Sequence, residues 1–164
     1  MSIAAPVAGA YTGTWNSNPL NYTRQGFNLN LTHKAERVEE SDLYGLSLIE
    51  MIFRGTQLMI DTILKVYNTN ALGALSPWVA FGGVYAAATP IAMLGTAKAQ
   101  ALVLTAVAST PAATSPATLT ATKSIISPDN NFQLIFNSTL REVPLKWDVF
   151  LVDTGGTGSL VSLT

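Results

Sequence analysis

Between residues 47 and 67 the chain reads SLIEMIFRGTQLMIDTILKVY, and its side chains alternate along two arms that meet at Arg54-Gly55. In the first arm Ile49, Met51 and Phe53 fall on one side, with Leu48, Glu50, Ile52 and Arg54 on the other. In the second, Leu58, Ile60, Leu64 and Val66 alternate with Gln57, Met59, Asp61 and Lys65. A period of two is the signature of a strand with two different faces. Folding the arms about Arg54-Gly55 predicts a hairpin with Phe53 opposite Thr56, Met51 opposite Leu58 and Ile49 opposite Ile60. Ile52 then opposes Gln57, Glu50 opposes Met59, and Leu48 opposes Asp61. One face is apolar and the other mixed, a sorting that a one-residue slip would destroy. Arg-Gly suits a two-residue turn less well than Asn-Gly or Asp-Gly. The rival is an amphipathic helix over residues 57–67, which also places Ile60, Leu64 and Tyr67 on one face; alternation and the central glycine favour the hairpin.

Composition limits what such a strand pair can belong to. The chain has 164 residues, enough for one domain with a sizeable core. Charged residues make up 12%, about half the usual share, while apolar residues make up 48%. Either the surface is sparsely charged, or much of it is covered by other subunits. The net charge of −1 points to neither nucleic-acid nor membrane-surface binding. The absence of cysteine removes disulfides and thiolate sites and fits a reducing compartment. The opening MSIAAPVAGA lacks the basic residue of a secretory signal, and the alanine-rich residues 84–108 are too weakly apolar for a membrane span. The chain is expected to be soluble.

Residues 1–20, with Pro6, Gly9, Gly13 and Pro19, read as an extended arm with Tyr11 and Trp15 as its anchors, lying on a neighbouring subunit or packed loosely as a terminus. Residues 27–33 alternate as a half-buried strand, KAERVEESD follows and ends in an acidic patch of Glu39, Glu40 and Asp42, and residues 42–45 read as a loop leading into the hairpin. A short helix is expected over 71–75, stopped by Pro77. From Val66 to Thr122, 57 residues, the only charge is Lys98, which predicts core and subunit interface. Residues 97–108 fit a strand or a helix equally. Strands are expected over 118–126, 132–136 and 145–152, the last of them central because it is apolar on both faces, with Pro144 at its start. Residues 154–164 read as a flexible tail, leaving one domain over 21–153.

The chemistry-bearing residues are sparse. His33 is the only histidine and has no cysteine beside it, so it reads as an ordinary strand residue rather than a zinc ligand or a triad member. Gly155-Gly156-Thr157-Gly158 lacks the lysine of a phosphate loop. Glu39 and Glu40 have no partner histidine and no calcium-loop glycine. No catalytic residue, cofactor or metal is expected, and the protein does not read as an enzyme. Charge position says more: residues 36–61 carry a net −4 and the rest of the chain +3. An acid-biased sheet face could line something that must not hold a polyanion tightly, or could simply be solvated.

The order of these segments is familiar: Asn28-Leu29-Asn30-Leu31, an acidic loop ending at Gly45, Leu48-Ile49-Glu50-Met51-Ile52, Gly55, then Phe132-Gln133-Leu134-Ile135-Phe136 and Leu140-Arg141-Glu142-Val143-Pro144-Leu145. It resembles the major tail tube proteins of long-tailed bacteriophages, which are similar in fold to secretion-system tube rings. The resemblance covers residues 27–67 and 118–153 and rests on spacing and hydrophobic pattern. It implies a mainly β protein, a sandwich or barrel with one flanking short helix, whose long hairpin contributes to an oligomeric barrel. It implies hexameric rings that stack around a bore conducting double-stranded DNA, in a virion tail assembled in the host cytoplasm. Its partners would be further copies of itself, with tape measure, terminator and sheath proteins. Leu48, Glu50, Ile52, Gln57, Met59 and Asp61 would face the bore, while Ile49, Met51, Phe53, Leu58 and Ile60 pack into the domain. Tyr11, Trp15, Glu39, Glu40 and Asp42 would lie at contacts between subunits or rings. The alternatives are a tail terminator, a secretion tube ring, or a carbohydrate-binding or adhesion β-sandwich using Trp15, Trp78 and Trp147 as stacking platforms.

Overall fold

A computed structural model describes residues 11–20, 23–24, 26–39, 48–65, 75, 78–81, 85–87, 94–107, 118–130, 142–153 and 158–164. The described chain is mainly β, as expected. Its strands are β1 (Tyr11–Trp15), β2 (Asn18–Leu20), β3 (Asn28–Glu39), β4 (Leu48–Leu64), β5 (Val79–Phe81), β6 (Tyr85–Ala87), β7 (Gln100–Ala106), β8 (Thr118–Ile126), β9 (Val143–Val149), β10 (Val152–Asp153), β11 (Gly158–Ser159) and β12 (Ser162–Leu163). One antiparallel sheet runs in the order β2-β1-β7-β8-β9-β4-β3, with β12 added alongside β8. Two short ribbons, β5-β6 and β10-β11, stand apart from it.

The hairpin expected about Arg54-Gly55 is not formed. Residues 48–64 are one continuous strand that runs through the glycine and pairs along its length with β3. The chain reverses instead between Glu39 and Leu48. Lys34 pairs with Gly55 and Ala35 with Phe53, so Arg54 is an extra residue in β4: a β-bulge, with Gly55 at a φ of 130°. Arg-Gly makes a poor two-residue turn, whereas glycine takes the backbone angles of a bulge at little steric cost. The helical rival over 57–67 fails as well, since the strand continues to Leu64.

Other expectations shift in the same direction, towards more sheet. β3 runs on through residues 34–38 to Glu39, the residue expected to open the acidic loop. Residues 11–20 are no loose arm: β1 and β2 form a tight hairpin about Asn16-Ser17, both at positive φ, which matches the twist of paired strands. The C-terminal residues 158–164 are likewise paired, to β10 and to β8. The ambiguous segment 97–108 is strand over Gln100–Ala106, preceded by a single 3-10 turn at Gly95–Ala97. That turn is the one complete helical element among the described residues. The helix expected over 71–75 and the strand over 132–136 lie outside the described residues, apart from the buried Leu75.

The core follows from alternation. In β9 the buried positions Val143, Leu145, Trp147 and Val149 are separated by less buried ones, and β7 buries Leu102 and Leu104 in the same way. These meet Trp15, Leu20, Leu58, Ile60, Leu64, Leu119, Ala121 and Ile126 in a single apolar cluster. As expected, β9 is central, lying between β8 and β4. The sheet curls, bringing the segment before β3 over β1. Phe27, which leads into β3, packs over Gly13 of β1, where a Cβ would lie 2.5 Å from the ring. The architecture is therefore of the sandwich or barrel class. Gly13→Ala should cost about 1–3 kcal/mol, because Phe27 and Leu104 must both yield to the added methyl. A lowered urea midpoint with an unchanged m-value would register it.

Candidate assembly surface

The sheet does not end where its core ends. β9 pairs with β4 only from Leu58 to Leu64. Among the described residues, β4 beyond Leu58 has a single strand partner, β3, and β3 has no other partner than β4. The two strands form an arm that extends past the body of the domain. Both long edges of this arm leave backbone N–H and C=O groups without a strand partner among the described residues. Such edges are templates for pairing with another chain.

The arm has two chemically distinct faces, and the bulge keeps them distinct. On β3 the even-numbered residues Asn28, Asn30, Thr32, Lys34 and Glu36 share a face, opposite Asp61, Met59, Gln57, Gly55 and Ile52. Val38 pairs with Glu50, so Glu50 joins the same face. Without the extra Arg54, even residues before it and odd residues after it could not lie together. The set Glu50, Ile52, Gln57, Met59 and Asp61 thus shares one face as expected, but a bulge in one strand replaces the turn between two. Leu48 pairs with Glu39 beyond a second irregularity; only its backbone is described.

This polar face is tied together by its own side chains. Asn28 Nδ2 donates to Asp61 Oδ2 at 2.9 Å, and Asn30 Nδ2 donates to Asp61 Oδ1. The Arg54 guanidinium pairs with Glu36 across the bulge. Of the acids in residues 36–61, only Glu36, Glu50 and Asp61 have described side chains, and cations lie among them. Glu36, Glu50, Asp61 and, from β9, Asp148 share the face with Lys34, Arg54 and Lys146, the last directly opposite Asp61. What results is close to charge-balanced.

On the opposite face Leu58 and Ile60 enter the core, as expected. Met51 and Phe53 do not: they lie further along the same face, beyond β9, and are 48% and 64% exposed. Leu29 and Leu31 are exposed beside them on β3. His33 Nδ1 lies 3.0 Å from Thr56 Oγ1, and its ring sits 6.2 Å from that of Phe53. Leu29, Leu31, His33 and Phe53, with Leu151 and Leu160 of the C-terminal segment, line a groove of ≈ 890 Å³ whose described lining holds no charged side chain. The sequence had no means of pairing that wall with the arm, since it is about a hundred residues away in the chain.

The remaining expected contact residues divide. Trp15 is 2% exposed in this chain's own core, with Nε1 donating to Ser124 Oγ at 3.2 Å, so it cannot anchor an arm on a neighbour. Tyr11 is half-buried against the same core. Glu39 ends β3 rather than lying in a loop, and its side chain is not described. Glu40 and Asp42 fall outside the described residues. Trp147 is fully buried, and Trp78 is half-buried with Nε1 donating to the Ile126 carbonyl at 2.7 Å. Trp15 and Trp147 therefore offer no stacking platform for a sugar. No group of three or more histidine, aspartate or glutamate side chains among the described residues is arranged to hold a metal. No helix among them is long and apolar enough to cross a membrane. The sequence matches no known protein-family profile and is not significantly similar to any curated protein.

Proposed function

We propose that this chain is the structural subunit of a phage-type tail tube, a non-enzymatic protein whose copies close into six-membered rings that stack around a bore. One observation carries the reading: a two-stranded arm with both edges open, polar on one face and apolar on the other. Copies related by rotation bring β3 of one arm beside the outer edge of β4 in the next. That pairing removes every open edge at once, which only a closed ring can do. The apolar face turns towards the domains and the face of Glu50, Ile52, Gln57, Met59 and Asp61 turns towards the bore. Leu29, Leu31, Met51 and Phe53, too many large apolar groups in one area for a lone subunit to leave wet, are covered by that closure.

The balanced charges of the polar face suit a bore through which a polyanion passes. A basic lining would bind duplex DNA through its phosphates, and a strongly acidic one would oppose its entry. In this reading the partners are further copies of the chain, with tape measure, terminator and sheath proteins at other surfaces, and the setting is the virion tail. Negative-stain electron microscopy of the purified protein, with its mass from light scattering, tests the reading. Annular particles or hollow filaments are expected. A protein that stays monomeric at high concentration defeats it.

A further inference from the structure

Resting on that reading, we infer the register of the contact: β3 of one copy pairs with the outer edge of β4 in the next so that Lys34 lies opposite Glu50 of the neighbouring copy. Within one chain Glu50 pairs with Val38, so the contact between copies is offset by four residues along β3.

Direction comes first. Copies related by rotation point their arms the same way, and β3 and β4 run antiparallel within each arm. β3 therefore meets the neighbour's β4 antiparallel as well. Face sorting comes second. An odd offset would set each polar face against an apolar one, so only even offsets survive.

Charge and apolar matching then separate the even offsets. With no offset, Arg37 stands against Met51 and Glu50 faces Val38, which leaves Lys34 and Glu50 unmatched. An offset of two puts Glu36 directly against Glu50, two carboxylates in one cross-strand pair. An offset of six sets Glu50 opposite Thr32. Offsets of the other sign carry Glu50 past Glu39, the last residue of β3.

The offset of four matches the exposed groups on both faces. On the polar face Lys34 meets Glu50, and Asn28, beyond the bulge, meets Gln57. On the apolar face Leu31 meets Phe53 and His33 meets Met51, which pairs off three of the most exposed apolar side chains of the arm. Both charges are free to do this. Among the described residues Lys34 has no side-chain partner, and Glu50 accepts only from the backbone N–H of Met51. The other acids of the arm face, Glu36 and Asp61, are already engaged by Arg54 and by two asparagines.

The natural absence of cysteine makes the register directly measurable. In a Lys34→Cys/Glu50→Cys chain the two thiols cannot join within one copy. Four residues of strand separate them, roughly 13 Å, against the 7 Å limit between the Cα atoms of a disulfide. Mild oxidation of the assembled protein is expected to give a ladder of covalent oligomers on a non-reducing gel, and Glu36→Cys/Glu50→Cys is expected to give none. In parallel, Lys34→Glu should raise the concentration needed for assembly by about tenfold, and Lys34→Glu/Glu50→Lys should restore it. Both positions are solvent-exposed, so the melting temperature reports that the fold is intact. Assemblies that cross-link through 36 and 50, or through neither pair, overturn the register and leave the tube standing. An unmodified chain that never assembles overturns both.

Discussion

Replacing Trp147 with alanine is expected to lower stability by about 3–5 kcal/mol, close to the limit of what a domain of this size can lose and still fold. Trp147 is fully buried and sits on β9, between β8 and β4. Its cross-strand neighbours, Ile60 on one side and Ile126 on the other, are fully buried too. Truncation therefore opens a cavity at the meeting point of three strands, with no solvent-facing side chain able to fold into it. For a chain of this length the loss corresponds to a fall of about 6–20 °C in melting temperature. Trp147→Phe separates size from polarity. The indole Nε1 is buried with no hydrogen-bond partner among the described residues, and a buried donor left unsatisfied costs about 1–3 kcal/mol. Removing it offsets part of the lost volume, so the phenylalanine variant should be far closer to the parent than the alanine variant. Urea denaturation of all three proteins measures this. Equal losses for both variants would mean that the N–H is satisfied in solution.

The same physics explains which parts of the fold were legible in the sequence. Faces were legible: Glu50, Ile52, Gln57, Met59 and Asp61 sort together because only one assignment keeps polar side chains apart from Leu58 and Ile60. The connection was not, because a turn and a bulge at Arg54-Gly55 produce the same sorting. Both reverse the parity of the strand, one by folding it back and the other by adding a residue. A glycine inside an otherwise regular strand pattern is also a bulge signal, and Arg-Gly fits that better than a tight turn. Charges misled in a second way. Glu39 looked like the start of an acidic loop, whereas the strand of the arm carries Lys34, Glu36 and Arg37 and ends only at Glu39. Trp15 misled in a third way, since Pro19 and the small residues around it hid an Asn16-Ser17 turn whose strands return the indole to the core. The groove's second wall, Leu151 with Leu160 and Val161, depends on a long-range contact that periodicity does not encode.

Replacing Phe53 with aspartate is expected to leave the subunit folded and to abolish its assembly. The side chain is 64% exposed, with its ring 6.2 Å from that of His33. Its loss should change subunit stability by no more than about 0.5 kcal/mol. In the proposed ring the same position lies between two arms, beside a groove whose described lining holds no cation, the nearest on that face being Arg37 opposite Met51. Burying that charge unpaired costs several kcal/mol at each contact. At about 1.4 kcal/mol per tenfold, association weakens by well over a hundredfold. The experiment is a melting curve beside a sedimentation profile. An unchanged melt with loss of large particles places Phe53 at a contact between copies. Unchanged assembly would mean that the apolar end of β4 stays wet in the particle, which removes the physical reason for the arms to meet. The contrast with Trp147 is what gives the pair of variants its force. Two aromatic side chains belong to apolar faces of the same sheet, yet one is paired on both sides by strands of its own chain. The other lies beyond the last such strand among the described residues, and in the proposed ring another copy completes its surroundings.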